Sequence, residues 1–277
     1  MSNIVITGAT AGIGRASAIL LASKGHRVFA AGRSEDALAE LEKSYGNITG
    51  VAMDVTEASS VAAAVTRIHE ALEGKAPDVL VNNAGYALVG PLESIPDEDW
   101  ERQFQTNVLG LVRVTRAFLP GMRERRRGRI VNVSSVAGRV TVPFFGPYNS
   151  TKHAVESISD SLRHELHPHG VSVVVIEPGA VKTRFGSREQ AQIDAWIEAD
   201  SPYAEQLRTL RHFHKGLHAK GADPISVAGA IVEACEKPAA AARRVVPLLP
   251  GSAFIALKNW LPTRLGDWLI RRITGLP

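Results

Sequence analysis

Cysteine is nearly absent from this chain. Cys235 is the single thiol among 277 residues, so no internal disulfide can form and nothing points to an oxidising compartment. Long apolar runs are missing too. None approaches the roughly 20 residues a bilayer-spanning helix needs. The opening MSNIVITGAT has no charged, apolar and small-residue regions of a secretory leader. A cytoplasmic location is the expectation. Charge of one sign is also scarce: 32 Lys and Arg against 28 Asp and Glu leave a net +4 and a pI near 9.3. That suits a phosphate-bearing small ligand; nucleic acid would need the charge clustered on one face, and no nucleic-acid partner is expected. There is no internal repeat and no low-complexity linker, and the length lies within the range of one α/β domain. A single domain over 1–277 is therefore expected.

What is present is a series of short, β-branched apolar runs at 3–8, 27–32, 49–54, 78–83, 129–135, 171–179 and 244–249. Most are apolar throughout rather than alternating, as strands buried on both sheet faces are. Helical stretches separate them, among them 13–24, 58–72 and 100–124. The β-α alternation predicts a doubly wound parallel α/β sheet of about seven strands in three layers. The pattern breaks over 184–221, where helical pieces mix charge with Phe185, Trp196, Tyr203 and Phe213; long excursions of this kind serve as lids or binding segments. Asp223-Pro224 reads as an N-cap and first helical residue, opening a helix to about Glu236.

The first strand runs into Thr7-Gly8-Ala9-Thr10-Ala11-Gly12-Ile13-Gly14 and then a helix. Glycines there let backbone approach a pyrophosphate, and the helix N-terminus supplies N–H donors and a positive dipole end. A dinucleotide site follows. An acid at the tip of the second strand would hold the ribose 2′-hydroxyl of NAD. Here the strand ends Gly32-Arg33-Ser34, and Arg33 can grip a 2′-phosphate through two N–H donors. NADP(H) is the expected cofactor; Glu35 is the rival residue, one step into the next helix.

Tyr148 and Lys152 stand four apart in YNSTK, one turn apart on one helical face. A free phenol has a pKa near ~10, and a fixed positive charge lowers it, so the pair could exchange a proton near neutral pH.

Six motifs in order resemble the short-chain dehydrogenase/reductase family, in the branch marked by TGxxxGxG. TGATAGIG stands at 7–14, NNAG at 82–85, Asn107 in the next helix, Ser135 at the end of the fifth strand, YxxxK at 148–152 and PGAVKT at 178–183. The likeness is tight over 3–183 and loose beyond. It implies a hydride transfer between a nicotinamide and a carbonyl or secondary alcohol. Tyr148 would be the general acid/base. Lys152 would lower its pKa and bond the nicotinamide ribose, Ser135 would bond the substrate oxygen, and Asn107 would hold a water relaying protons to Lys152. Thirteen residues separate Ser135 from Tyr148, which selects it over Ser134. By the same likeness Gly8, Thr10, Gly12, Ile13 and Gly14 line the phosphate turn. Arg33 and Ser34 take the ribose phosphate, and Asp54 and Val55 bracket the adenine. Asn82, Ala84 and Gly85 line the cleft, with Pro178, Gly179, Val181 and Thr183 at the carboxamide. The family implies a homodimer or homotetramer.

Phe144 and Phe145 fall where the family builds its pocket wall, and the 184–221 segment adds Leu207, Leu210 and Leu217. The expected substrate is a bulky apolar ketone or aldehyde, steroid-, retinoid- or lipid-like. The loops and tail are similar to the retinol and 17β-hydroxysteroid dehydrogenase side of the family more than to the 3-oxoacyl-carrier-protein reductases. A 3-oxoacyl thioester reductase and a non-catalytic NADP(H) sensor or scaffold stay open as alternatives. RERRRGR at 123–129 is expected to be a solvated loop. His212, His214 and His218 have metal-compatible spacing, but nothing acidic or thiol-bearing completes a set and hydride transfer needs no metal, so no metal is expected. Cys235 is expected to be a small core residue. The tail at 254–276 is amphipathic, with Phe254, Trp260, Trp268, Lys258, Arg264, Arg271 and Arg272. It either packs over the pocket or a sister subunit, or lies on a membrane surface.

Overall fold

The computed structural model describes residues 1–276, with the backbone alone at 249, 250, 251, 254 and 259. The side chain of Phe254 therefore lies outside the described residues. The chain runs β1 (Asn3–Thr7), α1 (Gly12–Ser23), β2 (Arg27–Gly32), α2 (Glu35–Ser44), β3 (Ile48–Ala52), α3 (Ala58–Ala71) and β4 (Val79–Asn82). It continues through α4 (Asp97–Phe104), a π-helical turn (Gln105–Leu109), α5 (Gly110–Glu124), β5 (Gly128–Val133), α6 (Gly146–Leu166) and β6 (Val171–Pro178). Then follow α7 (Arg184–Glu198), α8 (Ala204–Ala219), α9 (Pro224–Glu236), β7 (Arg243–Val246), α10 (Leu248–Trp260) and α11 (Thr263–Thr274).

All seven strands pair parallel in the order β3-β2-β1-β4-β5-β6-β7. The order reverses between β1 and β4, which opens a crevice outside the carboxyl ends of the strands. The continuous apolar runs have a direct cause. Ile4 and Ile6 pack with Leu21 of α1, Leu41 of α2 and Ile231 of α9 on one face. Val5 between them packs with Ile68 of α3 and Phe118 of α5 on the other. Both faces are covered, so neither parity needs a polar residue; each such side chain contributes roughly 1.5–3 kcal/mol on burial.

The 184–221 segment folds as the helix pair α7 and α8. Ile193, Leu207 and Leu210 form a third apolar cluster with Val89, Phe145 and Tyr148, which seats the pair over the crevice. Thr183 caps α7 by accepting the Phe185 amide, and Asp223 caps α9 by accepting the Ile225 amide.

The basic run is solvated only in part: Arg123, Arg126 and Arg127 are exposed, while Arg125 and Arg129 are half-buried. Arg125 donates to the carbonyls of Ala76 and Pro77, and Arg126 to that of Pro168. Arg129 donates to the carbonyls of Ala234, Lys237 and Pro238 at the end of α9. Helix C-termini leave carbonyls without partners, and a guanidinium satisfies several at once. Cys235 is only partly buried but packs against the core, and burial pushes its thiol up to about 12.

Candidate active site

The glycine turn shapes one end of the crevice. Gly8 and Gly12 have φ of +66° and +53°, a region that disfavours side chains. A Cβ on Gly14 would lie 2.4 Å from both Asn83 Nδ2 and Gly8 O, so Gly14 serves helix–strand packing rather than lining the cleft. No side chain caps α1, and its first N–H groups are left for an anion. The residues present thus fit a dinucleotide.

The NNAG segment corrects the sequence reading by one residue. Asn82 is buried away from the cleft, donating to Thr115 Oγ1 and Asn132 Oδ1, each at 2.9 Å. Asn83 faces the cleft instead, with Nδ2 donating to the carbonyls of Thr7 and Gly8. The strand ends at Asn82, so alternation decides which amide turns inward.

At the tip of β2, Arg33 is exposed and its Nη1 lies 3.9 Å from Asp54 Oδ2. Burial raises the Asp54 carboxyl, but the Thr56 amide and hydroxyl, with Arg33, carry it below its ordinary value. Ser34 caps α2 by accepting the Ala37 amide. Thr10, Arg33, Ser34, Asp54, Val55, Ala84, Gly85, Pro178, Gly179, Val181 and Thr183 all line one cavity of about 1900 Å³. Single-ligand pockets run to roughly 300–1,000 Å³, so this one has room for a dinucleotide and a second molecule.

Three predicted residues, Ser135, Tyr148 and Lys152, meet in that cavity, and Asn107 is buried behind its wall. Ser135 follows β5 in extended conformation; its hydroxyl accepts the Ala137 amide at 3.1 Å and reaches Pro178 O at 3.3 Å. It also lies against the Tyr148 phenol, favouring the phenolate. Ser134 Oγ is buried without a hydrogen-bond partner among the described residues. Tyr148 and Lys152 stand in the first turns of α6. Lys152 Nζ donates to Val133 O at 2.9 Å and sits 5.8 Å from the Tyr148 ring centroid. Asn107 lies in the π-helical turn rather than in an ordinary helix. Its Nδ2 donates to Tyr86 O and Thr151 Oγ1, and its Oδ1 accepts the Tyr86 amide. A Cβ on Gly85 would lie 3.0 Å from Asn107 Oδ1 and 3.8 Å from Lys152 Nζ; the glycine brings these two groups close.

The electrostatics differ from the expectation of a lowered phenol. Burial drives Tyr148 above its ordinary value; Ser135 opposes this and Glu189 adds to it. Burial brings the Lys152 ammonium down to about 8, against Glu156. Desolvation disfavours both charged forms, and in the protein alone it outweighs the Ser135 hydrogen bond on Tyr148 and the Glu156 charge on Lys152.

Phe145 lines the cavity, with Val142, Phe185, Leu210 and Phe213. Phe144 does not: its ring meets Tyr203 edge-on at 5.8 Å, away from the opening. Gln103 and Gln192 were not anticipated. Gln103 bonds the Leu88 amide and Tyr86 carbonyl, and Gln192 bonds the Val89 amide and Ala87 carbonyl. Together they hold the segment beneath α7, and no motif marks them. Glu189 was also missed, and it overturns the statement that no acid accompanies the histidines: its Oε2 lies 3.0 Å from His214 Nε2 and 3.1 Å from His218 Nε2. His212 points elsewhere, to Arg208 O.

The tail divides between its two readings. Ile270, Ile273 and Thr274 of α11 line the cavity, while Trp260 and Trp268 are 89% and 57% exposed. Among the described residues no helix is long and apolar enough to cross a membrane.

A crevice at the switch point, a glycine turn beneath an uncapped helix, and a Ser-Tyr-Lys cluster define a nicotinamide-dependent oxidoreductase of alcohol and carbonyl groups. Comparison with known proteins agrees. The family model described as short chain dehydrogenase matches residues 2–194, and the chain belongs to the short-chain dehydrogenase/reductase family. It is 33% identical over 269 residues to a 3-ketodihydrosphingosine reductase of Bacteroides thetaiotaomicron, covering 97% of this chain and 96% of that one. It is 35% identical over 274 residues to an NADPH-dependent 3-dehydrocapnine reductase of Ornithobacterium rhinotracheale, covering 96% and 95%. The crystal structure of a family member from Burkholderia phymatum in complex with NAD superposes with a TM-score of 0.80 at 30% identity, covering 93% of each chain.

Proposed function

We propose that this protein is an NADP(H)-dependent reductase of a ketone or aldehyde carried on a bulky, apolar, lipid-like substrate. The observation that carries the reading is the seat of Tyr148 and Ser135. Both line the same cavity as the glycine turn and as the apolar side chains Val142, Phe145, Phe185, Leu210 and Phe213. Two relatives that match almost end to end are named as reductases of 3-ketodihydrosphingosine and 3-dehydrocapnine, which supports a lipid-type ketone.

The bound nicotinamide would supply the hydride. Gly8, Thr10, Gly12 and Ile13 with the α1 N-terminus would hold the pyrophosphate. Arg33 and Ser34 would hold the 2′-phosphate, and Asp54 and Val55 the adenine. Val181 and Thr183 would position the carboxamide. Ser135 would donate to the substrate oxygen as charge builds there. Tyr148, held neutral by its burial, would give its proton to that oxygen as general acid. Lys152 would bond the ribose and restore the proton, with Asn107 positioning the relay.

The decisive assay follows nicotinamide absorbance with NADPH and NADH in parallel, against long-chain 3-keto amino lipids, retinal, steroid ketones and acetoacetyl thioesters. Turnover of an apolar ketone with NADPH supports the reading. Activity confined to the thioesters, or to NADH, would overturn its substrate or cofactor half.

A further inference from the structure

The two lid helices carry a cluster that hydride transfer does not use. Glu189 comes from α7, and His214 and His218 come from successive turns of α8. One donor atom from each lies within 4.8 Å of the other two. Glu189 and His214 are buried, and His218 is partly so. The two imidazole centroids are 4.3 Å apart. Gly186 makes the approach feasible: a Cβ there would lie 2.3 Å from His218 Nδ1.

Counting protons exposes the point. Gln190 Nε2 donates to Asp194 Oδ1 at 3.1 Å, which fixes the amide and leaves its Oε1 facing His214 Nδ1 at 3.3 Å. The other nitrogen of His214 faces Glu189 Oε2 at 3.0 Å. Both ring nitrogens thus meet oxygen acceptors, and a neutral imidazole has only one N–H to give. With Nδ1–H given to Gln190, the Nε2 lone pair faces a carboxylate oxygen, and a cation between the two would satisfy both. A carbonyl oxygen on the far nitrogen is the usual outer support of a metal-binding histidine. His218 Nε2 converges on the same carboxylate oxygen.

We propose that Glu189, His214 and His218 form a binding site for a transition-metal dication of the zinc type, joining α7 to α8 in the wall of the substrate cavity. Two imidazoles and a carboxylate match zinc and suit Mg²⁺ or Ca²⁺ poorly. Bonds of about 2.0–2.1 Å place tetrahedral donors roughly 3.3–3.4 Å apart, a few tenths beyond the two carboxylate–imidazole separations here. All three residues line the cavity, so the remaining coordination position opens into it and would take water or an oxygen donor of a bound ligand. This goes beyond the proposed reductase activity, which needs no metal.

The test uses the untagged full chain, stripped with a chelator and titrated with Co²⁺, whose visible d–d bands report a tetrahedral site. One equivalent should bind and be displaced by Zn²⁺. Glu189→Gln keeps the side-chain shape, and His218→Gln changes a partly exposed residue. Each should weaken binding more than tenfold, with circular dichroism and NADPH binding retained. Absence of d–d bands in the unaltered protein, or equal bands in both variants, would overturn the site and leave a buried histidine–carboxylate hydrogen-bond cluster. Neither result depends on turnover, so the reductase reading stands or falls separately.

Discussion

Lys152 Nζ sits one helical turn from Tyr148, 5.8 Å from its ring centroid, yet its hydrogen bond goes to the carbonyl of Val133 at 2.9 Å. The ammonium is held by a strand end at the cavity floor, largely withdrawn from bulk water. That position costs stability, and the cost can be measured.

The Lys152 ammonium falls from its ordinary 10.5 to about 8 on folding. Its folded pKa is depressed, so at pH below 8 the folded protein bears the full desolvation cost. Between pH 8 and 10.5 the unfolded chain binds more protons and stability should rise. Lys152→Met should therefore raise the melting temperature at neutral pH while abolishing turnover, and the gap should narrow from pH 8 upward and close only above about pH 10.5. Thermal melts of both proteins across that range decide it. A variant less stable at every pH would refute the stored cost.

Tyr148→Phe keeps the ring and its packing against Phe185 but removes the acid. Loss of a general acid typically costs ~10²–10⁴ in rate. The variant should lose at least ~10²-fold in kcat while binding NADPH with unchanged affinity, as read by fluorescence titration. Retained turnover would exclude the phenol as proton donor.

Arg33→Asp should exchange cofactor preference. A charge-assisted contact to phosphate contributes about 1.5–3 kcal/mol, so its loss should lower kcat/KM for NADPH by roughly 10–150-fold and leave NADH the better donor. Stability should change by less than ~1 kcal/mol, since Arg33 is exposed and its pairing with Asp54 is long. An unchanged cofactor ratio would remove Arg33 from the site.

Two glycines should respond in opposite directions to alanine. Gly14→Ala drives a methyl to 2.4 Å from the Gly8 carbonyl and the Asn83 amide. It should destabilise the fold and weaken dinucleotide binding. Gly216→Ala, in α8 with nothing within 4 Å of the added carbon, should stabilise by roughly 0.5–1 kcal/mol through helix propensity. Denaturant midpoints of the two variants test the pair.

Much of the architecture was readable from residue order. Parallel strands buried on both faces need no polar alternation, so Ile4-Val5-Ile6 and Val173-Val174-Val175 announce themselves as apolar runs. The glycine turn, the Tyr–Lys pair and Ser135 are local in sequence, or sit at strand and helix ends that sequence marks. Arg33 stands at the tip of β2 where the sequence put it, exposed and lining the cavity.

The tertiary structure decided what depends on distant segments or on which way a side chain turns. It exchanged Asn82 for Asn83 at a strand end, where alternation meets an irregular turn. It turned Phe144 towards Tyr203 and left Phe145 on the cavity. It drew Arg125 and Arg129 partly out of solvent onto backbone carbonyls, because those carbonyls belong to segments up to about a hundred residues away, and left Arg123, Arg126 and Arg127 exposed. It set Glu189 between His214 and His218, a meeting that rests on how α7 packs on α8. Sequence alone determined the sheet and the glycine turn after its first strand, and it marked Ser135, Tyr148 and Lys152 as candidates, because the physical causes of these features act over a few neighbouring positions. Only packing could set the polarity of the pocket and the electrostatic state of Tyr148 and Lys152, because desolvation is a property of everything that surrounds a group.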